Sequence, residues 1–187
     1  MPSLTLVTGG ARSGKSAFAE RLAFQACKPV IYLATATIED EEMRVRVEQH
    51  RQRRPHDWLT VEAPVHVGAV LSAASPGFGT VLLDDLGLLV SNLLLGAAAD
   101  GEPTMETAQR LEAAVADELE ALWQAQAHGG WDLVMVTNEV GSGVVPPTSL
   151  GRVFRDALGR ANQAVAGRAD SVYLLVAGLP LRIKPAP

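Results

Sequence analysis

Three observations predict an α/β fold, a three-layer sandwich in which a mainly parallel sheet carries helices on both faces. Short apolar runs alternate with helical patterns over all 187 residues, the order that a parallel sheet with right-handed crossovers produces. The runs Val30 to Ala34, Thr80 to Asp85 and Trp131 to Thr137 are nearly continuous in apolar residues rather than alternating, as strands covered on both faces are. The first run, Leu4-Thr5-Leu6-Val7-Thr8, enters Gly9-Gly10-Ala11-Arg12-Ser13-Gly14-Lys15-Ser16, and an alanine-rich helical pattern leaves it. That octapeptide fits G-x-x-x-x-G-K-[ST] at every fixed position, and its strand-loop-helix setting makes the expected fold P-loop NTPase-like.

The loop's chemistry follows from its residue types. Gly9, Gly10 and Gly14 let the backbone curl around Ala11, Arg12 and Ser13 so that successive N–H groups face phosphate oxygens. The next helix directs its positive N-terminal end at the same spot. Lys15 is expected to reach the β- and γ-phosphates, and Ser16 to place its hydroxyl on Mg²⁺. The run ending at Asp84 resembles the second strand of a nucleotide site, whose terminal carboxylate serves the same metal, so Ser16 and Asp84 are the expected metal pair. Asp85 follows directly and leaves open whether one acid or two does this.

The remaining elements are taken in order. A helix runs from Lys15 to Ala26 and is broken at Lys28-Pro29; Val30 to Ala34 then completes a βαβ unit. Past Thr35-Ala36-Thr37, Glu39-Asp40-Glu41-Glu42 precedes Arg44, Arg46, Arg51, Arg53 and Arg54, and Pro55 ends the pattern. Acid first and base last suits a helix macrodipole, with Thr37 and Asp40 in capping-box register. On that helix Met43, Val47, His50 and Arg54 share one face, which puts His50 on the apolar stripe. Trp58 to Glu62 reads as a strand, Pro64 to Ala74 as a helix and Ser75-Pro76-Gly77 as a turn. Leu86 to Leu95 is an apolar helix, for the core or a subunit interface, and Ala97 to Pro103 a loop. Thr104 to Ala127 is a long helix that buries Leu111, Val115, Leu119 and Leu122. Asn138 to Leu150 is a loop at the ligand-facing strand ends, and Arg152 to Gly167 a helix. Ser171 to Val176 and Leu181 to Lys184 form a hairpin across Ala177-Gly178-Leu179-Pro180.

Composition sets the outer bounds. Residues 1–187 are expected to form a single nucleotide-binding catalytic domain. The net charge is −5, and Lys and Arg form no single block, which disfavours a nucleic-acid partner. No run approaches the about 18 apolar residues of a membrane span, and Met1 leads straight into a strand, so a cytoplasmic protein is expected. Cys27 is the one cysteine and is expected to pack as a small hydrophobe. His50, His56, His66 and His128 lack zinc-site spacing.

These residues together resemble the bifunctional adenosylcobinamide kinase/adenosylcobinamide-phosphate guanylyltransferase family over nearly the whole chain. The phosphate loop from Val7 to Ser16 looks like the family's own version, and Arg46 to Pro55 looks like its R-[IV]-x-x-H-[RK]-x-x-R-P segment. Leu82 to Asp84, Val90 to Leu94, Val136 to Gly141 and Gly159 to Gln163 are similar too, whereas many relatives have an uncharged residue at Asp85. The resemblance implies that His50 is the nucleophile that takes GMP from GTP before adenosylcobinamide phosphate receives it. It further implies nucleotide contacts at Thr35, Ala36 and Thr37, at Arg51, Gln52, Arg53 and Arg54, at Glu62 and at Asp84. It suggests a homotrimer, Mg²⁺ as cofactor, GTP and ATP as substrates, and a corrinoid acceptor.

From its residues alone, without the resemblance, His50 reads as an ordinary helix histidine, because a His on an apolar stripe usually packs. Its chemistry suits attack on phosphorus, because a neutral imidazole needs no deprotonation and arginines nearby can stabilise charge on the equatorial oxygens. Two rivals follow. One is a plain small-molecule P-loop kinase in which His50 is structural; the other is a GTP-dependent switch, against which stands the lack of a guanine-recognition loop or effector segment.

Overall fold

The computed structural model describes residues 2–37, 48, 54–74, 77–98 and 103–185. Seven strands among these form one sheet in the order β3-β2-β4-β5-β1-β6-β7. They are β1 (Leu4–Gly9), β2 (Val30–Ala34), β3 (Leu59–Glu62), β4 (Thr80–Asp84), β5 (Asp132–Val136), β6 (Ser171–Val176) and β7 (Leu179–Lys184). All neighbours run parallel except β7, which turns back antiparallel to β6. The described helices are α1 (Lys15–Gln25), α2 (Val67–Ala73), α3 (Leu86–Ala97), α4 (Met105–Gly129) and α5 (Ser149–Arg168).

Apolar residues on alternate strand positions supply two separate cores, and this explains why the strands read as continuous apolar runs. On one face Leu6, Ile31, Leu33, Leu83 and Met135 pack under α2 to α5. On the other Val7, Tyr32, Leu82, Val134 and Leu175 pack with Phe18, Ala19 and Ala23 of α1. The expected sheet with helices on both faces, P-loop NTPase-like, is the observed one. Burying one such Leu or Val contributes about 1.5–3 kcal/mol, so both faces contribute substantially to holding the phosphate loop in place.

Several boundaries differ from the sequence expectation, each for a local reason. Helix α2 begins at Val67, not Pro64, because the buried Glu118 carboxylate of α4 accepts from the backbone N–H groups of His66 and Val67 and so supplies its N-terminal cap. Helix α5 begins at Ser149, where the Thr148 hydroxyl accepts from Gly151 N at 3.1 Å. Strand β7 begins at Leu179, so the hairpin turn is only Ala177-Gly178, both at positive φ (52° and 83°) as a two-residue hairpin turn requires. Pro180 is accommodated because β7 lies at the sheet edge. Cys27 corrects the composition reading: it is exposed, in the turn after α1 with φ 52°, rather than packed. The helix expected between Thr37 and Arg54 lies mostly outside the described residues; within it Glu48 is helical and exposed, and Arg54 sits in a bend before Pro55. No described helix is long and apolar enough to cross a membrane.

Candidate active site at the carboxyl edge of the sheet

The parallel strands all end at one edge, and β1, β2, β3 and β4 bring Gly9, Ala34, Glu62 and Asp84 there. The loop leaving β1 is tied down on both sides. Glu139 N donates to Gly9 O at 3.0 Å from the loop after β5, and Gly178 N donates to Ser13 O at 2.9 Å from the β6–β7 turn. Two glycines make this fit. A Cβ on Gly9 would lie 2.5 Å from Leu175 O, and Gly14 caps α1 with φ 93°, where its Cβ would meet Gly178 Cα at 3.3 Å. Gly10, Ala11 and Arg12 are exposed at the loop's crest, while Ser13 and Lys15 are buried.

Lys15 Nζ curls back to donate to Gly10 O at 2.7 Å, so the ammonium sits inside the loop's own arch. Burial pushes its pKa below the ordinary lysine value, opposed by the nearby Asp85 and Asp84 carboxylates. Ser16 Oγ donates to Asp84 Oδ1 at 3.3 Å, a long O–H···O contact that brings the two expected metal ligands together. Tyr32 Oη donates to the other oxygen, Asp84 Oδ2, at 2.7 Å. Burial and the adjacent Asp84 charge keep the Tyr32 phenol protonated by raising its pKa. Over the Tyr32 ring lies the guanidinium of Arg54, 3.2 Å from the centroid, with Nη1 also donating to Thr60 Oγ1 at 3.4 Å. Arg54 is buried and its Nε has no hydrogen-bond partner among the described residues.

The geometry separates the two adjacent acids. Asp85 caps α3, its Oδ1 accepting from Leu88 N at 2.7 Å and its Oδ2 from Asn138 Nδ2 at 3.2 Å. Burial, then the neighbouring Asp84 charge, pushes its pKa up to about 6. Only Asp84 contacts Ser16. Asp85 is therefore oriented by the start of α3, while remaining close enough to Lys15 to act on it through charge.

Thr35 is fully buried and engaged with the backbone of Asp85: its hydroxyl accepts from Asp85 N at 2.9 Å and donates to Asp85 O at 2.7 Å. Asn92 Nδ2 donates to Thr35 O and to Pro64 O, both at 2.9 Å, pinning the segment that continues through Ala36 and Thr37. Those two residues are half-buried at the same edge. Glu62 is exposed at the end of β3, in register with Ala34 and two strands from Asp84. His50, Arg51, Gln52 and Arg53 lie outside the described residues.

Sequence reasoning missed Tyr32, Asn92 and Asn138 as members of this site. Tyr32 did carry a signal, since a phenol inside an otherwise aliphatic buried strand needs a partner for its hydroxyl. Asn138 is held in turn by Asn162, whose Nδ2 donates to Asn138 O at 3.0 Å while its Oδ1 accepts from Thr137 Oγ1 at 2.7 Å. Ser16 offers a hydroxyl oxygen and Asp84 a carboxylate, side by side, and oxygen donors of this kind fit Mg²⁺.

Comparisons with known proteins agree with this architecture. An ATPase from the type III secretion system of pathogenic bacteria shares the fold, at a TM-score of 0.59 and 13% identity, over 94% of this chain and 52% of that one. The chain is 42% identical over 181 residues to the bifunctional adenosylcobalamin biosynthesis protein CobU of Escherichia coli K12, covering 97% of this chain and 99% of that protein. It is 40% identical to CobU of Salmonella typhimurium LT2, with the same coverage. It is also 40% identical to the bifunctional adenosylcobalamin biosynthesis protein CobP of Pseudomonas aeruginosa, over 97% of this chain and 98% of that one. Residues 5–183 match the family described as cobinamide kinase / cobinamide phosphate guanyltransferase, and the chain belongs to that family.

Proposed function

We propose that the protein phosphorylates adenosylcobinamide with a nucleoside triphosphate and then transfers GMP from GTP to adenosylcobinamide phosphate through a guanylyl-histidine on His50. Beyond family membership, one contact supports this reading most directly. Arg54, four residues after His50, stacks on Tyr32, and Tyr32 bonds Asp84 beside the phosphate loop. The chain that follows His50 is thereby anchored to the carboxylate expected to serve the nucleotide's metal.

In the kinase step the acceptor hydroxyl attacks the γ-phosphorus, the bond to the β-phosphate oxygen breaks, and the hydroxyl proton is lost as the diphosphate leaves. Lys15 and the loop amides hold the charge that builds on that leaving group. In the guanylyl step the His50 imidazole attacks the α-phosphorus and pyrophosphate leaves, held by the same loop. A phosphate oxygen of adenosylcobinamide phosphate then attacks the guanylyl phosphorus and returns the imidazole. Ser16 and Asp84 would hold Mg²⁺, which when bound neutralises phosphate charge. Tyr32 keeps Asp84 oriented and Asp85 keeps α3 and Asn138 in place. One loop serves both reactions because it fixes phosphates, and the group opposite them decides which bond breaks.

The decisive experiment is incubation with GTP, Mg²⁺ and each corrinoid acceptor, with mass analysis of products. A guanylylated acceptor is expected. A phosphorylated acceptor alone would leave a plain kinase, and no transfer with intact GTP binding would leave a switch.

A further inference from the structure

The phosphate loop has two sides, and the Ser16–Asp84 pair with its Tyr32 and Arg54 supports occupies one of them. In the sheet, β1 stands between β5 and β6, so Asp84, Tyr32 and Arg54 lie toward β4 and β2, while β6 and its turn flank the loop on the opposite side. On that second side is an open cleft of about 430 Å³ between the outer edge of the loop, the segment after β5 and the end of β6. Its walls include Arg12, Glu139, Ser142, Leu174 and Val176.

Three features suggest a ligand. The walls are pre-formed, because the Gly178 N to Ser13 O and Glu139 N to Gly9 O bonds fasten both of them to the loop. The Arg12 guanidinium is exposed and makes no hydrogen bond, ion pair or ring contact among the described residues, on a backbone with φ 55°. Ser13, which also lines the cleft, has a buried Oγ without a hydrogen-bond partner among the described residues. The lining combines aliphatic surface from Leu174 and Val176, a planar cation and a carboxylate, and the volume lies within the range that takes small organic ligands. A purine stacks on a guanidinium and against aliphatic side chains, and ribose hydroxyls donate to a carboxylate.

We propose that this cleft takes the base and ribose of the phosphoryl donor in the kinase step, while the guanosine of the guanylyl donor lies on the other side, over Thr35 to Thr37 and Glu62. The assignment rests on the bifunctional reading above and gives it a geometric basis. Guanylyl transfer needs the α-phosphorus turned toward the segment that bears His50. Phosphoryl transfer needs the γ-phosphorus facing the acceptor, with the nucleoside leaving by the other mouth of the loop. Glu139 and Val176 then act only in the first reaction.

The test combines photolabelling with kinetics. Irradiation of the protein with Mg²⁺ and 8-azido-ATP, followed by trypsin, is expected to label fragments Leu111–Arg152 or Ala169–Arg182, which carry the cleft walls. Label confined to Leu22–Arg44 or to Arg54–Arg110, which carry Thr35 to Thr37 and Glu62, would overturn the proposal whether or not either reaction is observed. In kinetics, Val176→Trp, which fills the cleft from an exposed position, and Glu139→Gln are each expected to raise the nucleotide KM of the kinase step at least tenfold, with the GTP KM of guanylyl transfer changed less than twofold. Equal increases in both reactions, no change in either, or an increase confined to the corrinoid KM would each reject a donor-nucleoside site. If the wild type transfers neither group, the functional reading fails, while the photolabelled fragment still decides who occupies the cleft.

Discussion

Tyr32 Oη donates a 2.7 Å hydrogen bond to Asp84 Oδ2, so the carboxylate at the end of β4 is held at both oxygens, by Tyr32 at one and Ser16 at the other. Strand register makes this possible: Ala34 lies opposite Asp84, which sets Tyr32 two residues back on the neighbouring strand, on the side that faces α1. The phenol thus orients the expected metal ligand. Tyr32→Phe keeps the ring under Arg54 and removes only that bond. A hydrogen bond to a charged group contributes about 1.5–3 kcal/mol, so the Mg²⁺ concentration for half-maximal activity is expected to rise roughly tenfold or more in both reactions. Saturating Mg²⁺ should restore most of kcat. Magnesium titration of the variant checks this, and an unchanged Mg²⁺ requirement would show that Ser16 alone orients Asp84.

Lys15→Ala is expected to abolish both transfers, since each needs the triphosphate anchored and each loses a preorganised charge, an effect typically of about 3 kcal/mol or more. Folding should survive. The buried ammonium hydrogen-bonds only Gly10 O, five residues away, among the described residues, so its removal breaks no hydrogen bond between distant elements. Circular dichroism and thermal melting check the fold. Guanylyl transfer at the wild-type rate would show that the loop serves the kinase half alone.

How far the site was legible depends on how local its signals are. The loop from Gly9 to Ser16 is contiguous, and its glycines and lysine are demanded by geometry within eight residues, so sequence suffices. The Asp84 pairing with Ser16 was also legible, because an acid closing an apolar strand is a local pattern. Tyr32, Asn92 and Asn138 were not, since their roles arise from register and from helix packing across long sequence separations. Asp85 shows the limit within a single dipeptide: sequence could not divide the labour between adjacent acids, and the start of α3 does so. Cys27 failed for the opposite reason, since burial frequency for a residue type carries no information about a turn after a helix.

Asp132 offers a pH test of the scaffold. Partial burial works to raise its pKa, but Lys28 Nζ and both N–H and O–H of Ser3 bond the carboxylate and hold it below the usual value. A depressed native pKa stabilises the fold above the unfolded value, about 3.9, and that contribution is lost as pH falls through the native pKa. Water reaches this carboxylate, so the contribution is screened and is on the order of 1 kcal/mol. Asp132→Ala should therefore be destabilised by about that amount at neutral pH, with the difference from wild type shrinking below about pH 4. Denaturant titrations at two pH values measure it, and a difference that grows on acidification would contradict the assignment.

A homo-oligomer is still an expectation, and the surface that would carry it differs from the one the sequence suggested. Leu86, Leu89, Val90 and Leu94 of α3 and Leu111, Val115, Leu119 and Leu122 of α4 are buried within the protomer, which leaves Leu95 and Met105 as the large apolar side chains these helices expose. Exposed apolar side chains instead line one side of the edge strand β7, at Leu179, Leu181 and Ile183. A trimer mass by light scattering at micromolar concentration is expected, as family resemblance suggests, and Leu181→Lys should shift it toward monomer. As a surface change it should alter protomer stability by no more than about 0.5 kcal/mol. A monomeric wild type would defeat the expectation, and a trimeric Leu181→Lys would move the interface off β7.

The two transfers are expected to separate at His50. The kinase step needs the phosphate loop, Mg²⁺ and an acceptor hydroxyl but no protein nucleophile, whereas guanylyl transfer by this route needs the imidazole itself. His50→Asn should spare the first and remove the second. With GTP labelled at the α-phosphorus, the wild type should become labelled and release pyrophosphate, while label from the γ-position should not follow. A phosphoramidate between imidazole and phosphorus is expected to be acid-labile and stable to alkali, which separates it from a phosphoester on a serine. Arg54 lies four residues on and stacks on Tyr32, so Arg54→Lys, which loses the planar stack, should slow labelling while leaving phosphoryl transfer closer to wild type. If the Asn variant still takes up α-label, or if the wild type transfers GMP with no labelled intermediate, then His50 is not the nucleophile, and its place on the apolar stripe of the sequence is packing.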